Sequence, residues 1–238
     1  MVSGNGKVRN VRHIGIIMDG NRRFARSLML KPWKGHEWGA RKIEQLLEWC
    51  EKLSIKKVTL FAFSVENFNR PRKEFNYLMH LFEKEFENLK GDSRIFKNRI
   101  RINFIGRIHM FPRKIQELMK NIMQKTRKNS RYVVNFAMAY GGRQEIVDAA
   151  NRIVGEIEKG NIMPGKIDEK TFSKYLYSAD EPELVIRTGG EKRTSNFLLW
   201  QSNYSEWFFL EKTWPELTEA DLRNVLAEFA ERERRFGK

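Results

Sequence analysis

Six short apolar runs, separated by stretches of helical periodicity, constrain this chain more than any other feature. VRHIGIIM (11–18), KKVTLFAF (56–63), RINFIG (101–106), YVVNFAMA (132–139), ELVIRT (183–188) and YSEWFF (204–209) have the length and apolarity of strands buried on both faces. Between them apolar residues recur at helical spacing, as in Ile43, Leu46, Leu47, Cys50 and Leu53, or Phe75, Leu78, Met79, Phe82 and Phe86. Three further sets run from Ile115 to Met123, from Ile146 to Ile157 and from Leu222 to Phe229. The alternation predicts an α/β fold: a single domain over residues 1–238, mainly a parallel six-stranded β-sheet flanked by helices, with 1–10 as a flexible N-terminal segment. Such a sheet aligns the carboxyl ends of its strands along one edge, where ligands bind.

Composition narrows the class. Hydrophobic residues at 41% argue against disorder, and no run approaches the roughly 18 apolar residues that span a bilayer. The opening MVSGNGKVRN has no apolar core, so no secretory signal is expected. The single cysteine, Cys50, excludes an intramolecular disulfide and a cysteine-cluster zinc site, which suits a cytoplasmic setting. Lys and Arg total 45 against 30 Asp and Glu, a net charge of +15. The excess is uneven: residues 1–150 carry +17, of which 90–131 contribute +11, and 151–238 carry −2. Charge of this kind predicts an anionic partner: nucleic acid, acidic lipid or a phosphorylated small molecule. The aromatic residues follow core periodicity rather than alternating with the basic ones, so no nucleic acid is expected.

Chemistry-bearing residues gather at the predicted strand ends. The first strand runs into Asp19-Gly20-Asn21-Arg22-Arg23-Phe24, a carboxylate, a tight-turn glycine and a helix start. That combination suits a phosphate, with Asp19 able to hold Mg²⁺; Asp19 as a plain helix cap fits equally well on this segment alone. Neither a P-loop nor a dinucleotide-binding glycine turn is present. The second strand ends in Ser64-Val65-Glu66-Asn67-Phe68-Asn69-Arg70-Pro71, and the fifth in Arg187-Thr188-Gly189-Gly190 followed by Arg193-Thr194-Ser195. His36 opens a helix beside the first loop, whereas His13, His80 and His109 read as surface or strand-end residues.

MDGNRRFA (18–25), GH (35–36), FSVENFNRP (63–71), YGGR (140–143) and RTGGEKRTSNFLLWQSNYSEWFF (187–209) together resemble the cis-prenyltransferases, the family of undecaprenyl and dehydrodolichyl diphosphate synthases. The resemblance implies Mg²⁺-dependent extension of an allylic prenyl diphosphate, farnesyl or geranylgeranyl diphosphate, by isopentenyl diphosphate with cis geometry. The alternative within the family is a non-catalytic partner subunit. By motif, Asp19 is the catalytic carboxylate and metal ligand, helped by Glu206. Gly20, Asn21, Arg22, Arg23, Phe24 and His36 surround the allylic diphosphate. Lys31 or Lys34 stands in for an arginine that family members often carry where this chain has Pro32. Ser64, Val65, Glu66, Asn67, Phe68 and Arg70 close on the substrates, with Asn67 assisting proton removal. Arg187, Arg193, Thr194 and Ser195 hold isopentenyl diphosphate. Arg235 and Gly237 reach into the partner's site of a homodimer. A carbocation must be kept from water, which calls for a hydrophobic tunnel, for which Ala62, Leu78, Leu81, Phe82 and Tyr132 are candidates. The +11 segment, including the basic and apolar 112–128 helix, is expected to give peripheral contact with an anionic membrane.

Overall fold

The computed structural model describes residues 11–232. The expected segment 1–10 and the Arg235 and Gly237 assignments lie outside them. All six apolar runs form strands: β1 (His13–Ile17), β2 (Lys57–Ser64), β3 (Ile100–Ile105), β4 (Tyr132–Tyr140), β5 (Leu184–Arg187) and β6 (Glu206–Phe209). They make one sheet in the order β3-β4-β2-β1-β5-β6, and every neighbouring pair is parallel. The helices are α1 (Asn21–Ser27), α2 (Gly35–Lys52), α3 (Arg72–Gly91), α4 (Ser93–Lys97), α5 (Arg113–Thr126), α6 (Gly142–Glu158), α7 (Glu169–Ser173) and α8 (Glu219–Glu231). The chain builds outward from β1 through β2, then returns to place β5 on the other side of β1. The gap between β1 and β5 is therefore the topological switch point, where diverging connections leave a crevice beyond the strand ends.

The larger core packs Leu46, Trp49 and Cys50 of α2, Leu78 and Phe86 of α3, Ile115 and Met119 of α5 and Leu222 and Phe229 of α8 with residues of the sheet. A smaller cluster centres on Tyr140, Val185 and Phe197. Burial pushes the Cys50 thiol up to about 12, so it behaves as a small apolar side chain. The amphipathic α5 uses its whole apolar face in this way: Ile115, Leu118, Met119 and Ile122 are buried. That corrects the expectation of an apolar lipid-binding helix at 112–128, because only the basic flank is left for a partner. No helix among the described residues is long and apolar enough to cross a membrane.

Two local constraints fix the edge that carries the motifs. Gly20 has φ 100, and a Cβ there would lie 2.6 Å from Thr213 Cβ, so the turn out of β1 demands glycine. At Gly35 a Cβ would fall 1.9 Å from the Asn21 carbonyl oxygen, so the first residue of α2 must be bare for α1 and α2 to pack. A polar chain also threads the sheet. His13 Nε2 lies 2.8 Å from Thr59 Oγ1, Asn135 Nδ2 donates to Thr59 Oγ1 at 3.1 Å, and Asn103 Nδ2 donates to Asn135 Oδ1 at 2.8 Å. His13 thus opens a strand as expected but is buried rather than on the surface, and burial pulls its imidazole down to about 4.

Two outcomes follow from these constraints. Gly35→Ala should lower the unfolding free energy by about 1–3 kcal/mol, as overpacking does, read by denaturant titration. His13 binds a proton in the unfolded chain below its ordinary 6.5 but not in the folded chain until about 4. Its contribution to stability is therefore complete above pH 6.5 and lost as pH falls towards 4. Glu145, whose carboxyl is pushed up by burial, gives a slope of the opposite sign, so the comparison must be between variants. Between those limits His13→Gln should show a shallower dependence of unfolding free energy on pH, by up to about one proton; identical slopes would contradict it.

Candidate active site

Asp19 and Arg187 meet at the switch point. Ile17 and Arg187 are register partners on β1 and β5, and Arg187 is 3% exposed at the end of its strand. Its guanidinium donates to Asp19 Oδ2 at 2.8 Å, to Ser195 Oγ at 2.7 Å and to the Arg193 carbonyl at 2.5 Å. A single buried cation therefore joins the loops after both strands. The Asp19 backbone is held as firmly, its carbonyl accepting from Thr188 Oγ1 and from the Trp214 amide, both at 2.8 Å. The Gly20 amide donates to Asp19 Oδ1 at 2.6 Å, and Arg23 lies 3.5 Å from that oxygen. Asp19 caps nothing in the helical sense: Gly20 occupies the cap of α1.

A second group of charges lies across from this pair. Glu74, buried in the first turn of α3, takes an ion pair from Arg70 and lies 3.7 Å from Arg22. His36 sits near both arginines; burial first, then these two charges, hold its imidazole down to about 3, so it is neutral at physiological pH. Among the described residues five buried side-chain polar atoms lack a hydrogen-bond partner, and three of them lie together here: His36 Nε2, Asn21 Oδ1 and Arg187 Nε. All three residues line one cavity, and unsatisfied groups so grouped suit a polar ligand.

That cavity has a volume of about 1290 Å³ and runs from the polar edge into the larger core. Asp19, Ser64, Glu66, Asn67, Arg70, Arg193 and Ser195 also line it. Its apolar stretch is bounded by Ile43 and Leu47 of α2, Leu78, Leu81 and Phe82 of α3, Val58 and Ala62 of β2 and Phe136 of β4. All five proposed tunnel residues are therefore wall residues, with Tyr132 among those of the far end beside Lys56 and Glu51. Lys56 and Arg131 lie over the Tyr132 ring at 4.8 and 5.1 Å, and Arg131 pairs with Glu51 at 3.2 Å.

Other residues singled out from sequence lie off the cavity wall. Phe24 packs edge-on against Trp38, and Phe68 joins Phe63, Phe75 and Phe111; neither lines the cavity, nor do Gly20, Arg22, Arg23, Val65 or Thr194. Lys31 lies over the Trp33 ring and Lys34 pairs with Glu37, so neither replaces the missing arginine at the cavity. Glu206 is separated from Asp19. It opens β6 in register with Leu184, at the amino end of β5, and its carboxylate faces Arg232 at 3.4 Å. Three residues of strand, about 10 Å, already lie between that level and Arg187, so Glu206 and Asp19 of one chain do not share an ion. Asn196 was missed. Its carbonyl and Oδ1 accept from the Gly142 and Arg143 amides at 2.7 and 2.9 Å, which ties the YGGR motif to the Arg193–Ser195 loop. Its position beside Ser195 inside the long 187–209 motif was the available signal.

No group of three or more His, Cys, Asp or Glu among the described residues is arranged to hold a metal. At the polar end of the cavity only Asp19 and Glu66 bring carboxylates to the wall. This fits Mg²⁺, which is often held by one or two carboxylates with substrate phosphates and water, and does not fit a cage-bound structural ion.

Comparison with known proteins agrees with this arrangement. Residues 17–237 match the prenyltransferase family described as undecaprenyl diphosphate synthase. The chain is 48% identical over 228 residues to a tritrans,polycis-undecaprenyl-diphosphate synthase (geranylgeranyl-diphosphate specific) of Methanopyrus kandleri, covering 95% of this chain and 84% of that one. A protein of the same description from Thermococcus kodakarensis is 47% identical, with 95% and 87% covered. Among solved structures, lavandulyl diphosphate synthase of Lavandula x intermedia in complex with dimethylallyl diphosphate superposes with a TM-score of 0.91 at 34% identity, covering 96% of this chain and 99% of that one. A probable undecaprenyl diphosphate synthase of Campylobacter jejuni gives 0.80 at 32%, with the same coverage. The chain belongs to the undecaprenyl diphosphate synthase family and is a cis-prenyltransferase enzyme.

Proposed function

We propose that this enzyme extends geranylgeranyl diphosphate by repeated cis addition of isopentenyl diphosphate, with Mg²⁺, to give a long polyprenyl diphosphate. The observation that carries the proposal is the cavity that joins a polar end, lined by Asp19, His36, Arg70, Arg187 and Arg193, to a deep apolar interior. The Methanopyrus kandleri and Thermococcus kodakarensis relatives are described as specific for geranylgeranyl diphosphate, which favours that primer over farnesyl diphosphate. On this reading the protein is a homodimer in which Arg235 and Gly237 complete the partner's site.

The geometry supports the following roles. The primer diphosphate sits against Asn21, neutral His36 and Arg70, with its hydrocarbon tail between α2, α3 and the sheet. Isopentenyl diphosphate sits against Arg193, Ser195 and the unpartnered Nε of Arg187. Asp19 would hold Mg²⁺ when it is bound, and the ion would supply charge neutralisation of the leaving diphosphate. The fixed arginines add to it without reorganising, since Glu74 and Asp19 already hold them. The allylic C–O bond breaks, the new C–C bond forms, and a proton leaves C2 of the isopentenyl unit for a diphosphate oxygen. Asn67 is no base: an amide oxygen is far too weak, and its Oδ1 already accepts from the Ser64 amide at 3.0 Å. Its Nδ2 hydrogens are left to hold the oxygen that takes the proton. The apolar walls exclude water from the cationic carbon.

Three variants test this. Asp19→Asn keeps an acceptor for Gly20 and Arg187 but loses the charge; incorporation of labelled isopentenyl diphosphate should fall at least about a hundredfold. Activity within twofold of the parent would reject the role. Arg187→Lys cannot reproduce the fork between Asp19 and Ser195, so KM for isopentenyl diphosphate should rise. Tyr132→Ala should shift the product ladder, read by thin-layer chromatography, to longer chains; an unchanged ladder would place the limit of length elsewhere.

A further inference from the structure

The loop after α1 concentrates two unfavourable features on one residue. The helix ends in a paired motif, with the Leu30 amide donating to the Ala25 carbonyl and the Met29 amide to the Arg26 carbonyl, both at 2.9 Å. That motif requires a left-handed residue at its turn, a place that glycine fills without strain. Here it is Met29, at φ 55. The same residue is 96% exposed, flanked by Leu28 at 47% and Leu30 at 39%. These three form the only consecutive run of exposed large apolar residues among those described. A free surface gains nothing from either feature, and a glycine would remove both.

The segment that carries the tip is basic, although Arg22, Arg23 and Lys34 meet carboxylates from outside it, at Glu74, at Asp19 and Glu191, and at Glu37. Arg22, Arg23, Arg26, Lys31 and Lys34 fall within residues 20–36, which contain no Asp or Glu. Arg26 and Lys31 have no ion-pair partner among the described residues.

We infer that Leu28, Met29 and Leu30 are an insertion tip that seats this face of the enzyme on an anionic lipid surface. Apolar side chains enter the boundary of the acyl chains while the collar of cations lies among the phosphates. Nucleic acid would match the cations but offers no apolar phase for three exposed side chains. The other end of α1 is Asn21 in the cavity, and seven residues of helix span only about 10 Å. The tip therefore sets the cavity close to the membrane. This purpose rests on the proposed lipid product, but the binding itself is tested without substrate.

The experiment is flotation of the full chain with vesicles of phosphatidylcholine, with and without phosphatidylglycerol. The parent should float with the anionic vesicles only, and salt should release it. Met29→Gly and Met29→Asn, which the left-handed turn accepts, should bind about tenfold more weakly while their thermal midpoints stay equal or rise. Isopentenyl diphosphate incorporation into a dispersed primer should be unchanged in both, which separates this inference from the catalytic reading. Equal flotation of parent and variants, or none of the parent, would overturn it. So would loss of self-association by Met29→Gly in vesicle-free sedimentation, which would assign the tip to a second copy of the chain.

Discussion

The ion pair between Arg187 and Asp19 is the interaction on which the site depends. Arg187 is buried at the end of β5, and a buried cation that loses its partner costs about 3–5 kcal/mol. The pair therefore locks the β1 loop to the β5 strand at the one place where the sheet connections diverge. Because the same guanidinium holds Ser195 and the Arg193 carbonyl, the loop that presents further cations takes its shape from it. The carboxylate proposed as catalytic is also a structural one. That sharing keeps Asp19 fixed before any substrate arrives, as electrostatic stabilisation of a departing diphosphate requires.

Across the cavity the arrangement is inverted: there a buried anion organises cations. Glu74 draws Arg70 and Arg22 together, and their combined field, with burial, keeps His36 neutral. Two groups of cations thus border one cavity, an arrangement that suits two anionic groups. Like-charged arginines can stand this close only because each group contains its own carboxylate.

The fold was legible because parallel strands are buried on both faces and so appear as unbroken apolar runs; all six strands lie where those runs lie. Asp19, Arg187 and the 63–71 segment were legible because each follows a strand, and strand ends share one edge. Glu206 misled because it lies in the same motif as Ser195, yet a strand separates its start from the catalytic edge by its whole length. Phe24 and Phe68 show the same limit at side-chain scale. Sequence places them in the loops but does not say that Trp38 and the Phe63 cluster take their rings. Glu74 was hidden for another reason. A glutamate four residues after an arginine is usually a solvated helix pair, and only its burial makes it a keystone.

The net charge of +15 also changes meaning once burial is known. Helix α5 combines strong amphipathicity with basic residues, the pattern of an interfacial helix. Amphipathicity, however, says only that one face will find an apolar phase, and here that phase is the protein's own core. The loop at 28–30 has no periodicity to notice and lies in a shorter basic stretch. Its apolar side chains are exposed because α1 ends there in a tight motif that turns them outward. The difference between a core helix and a membrane contact lies in where the apolar side chains come to rest, which is a property of packing rather than of pattern. In this protein burial assigns α5 to the core and leaves the 28–30 loop, the most exposed apolar run among the described residues, as the proposed lipid contact.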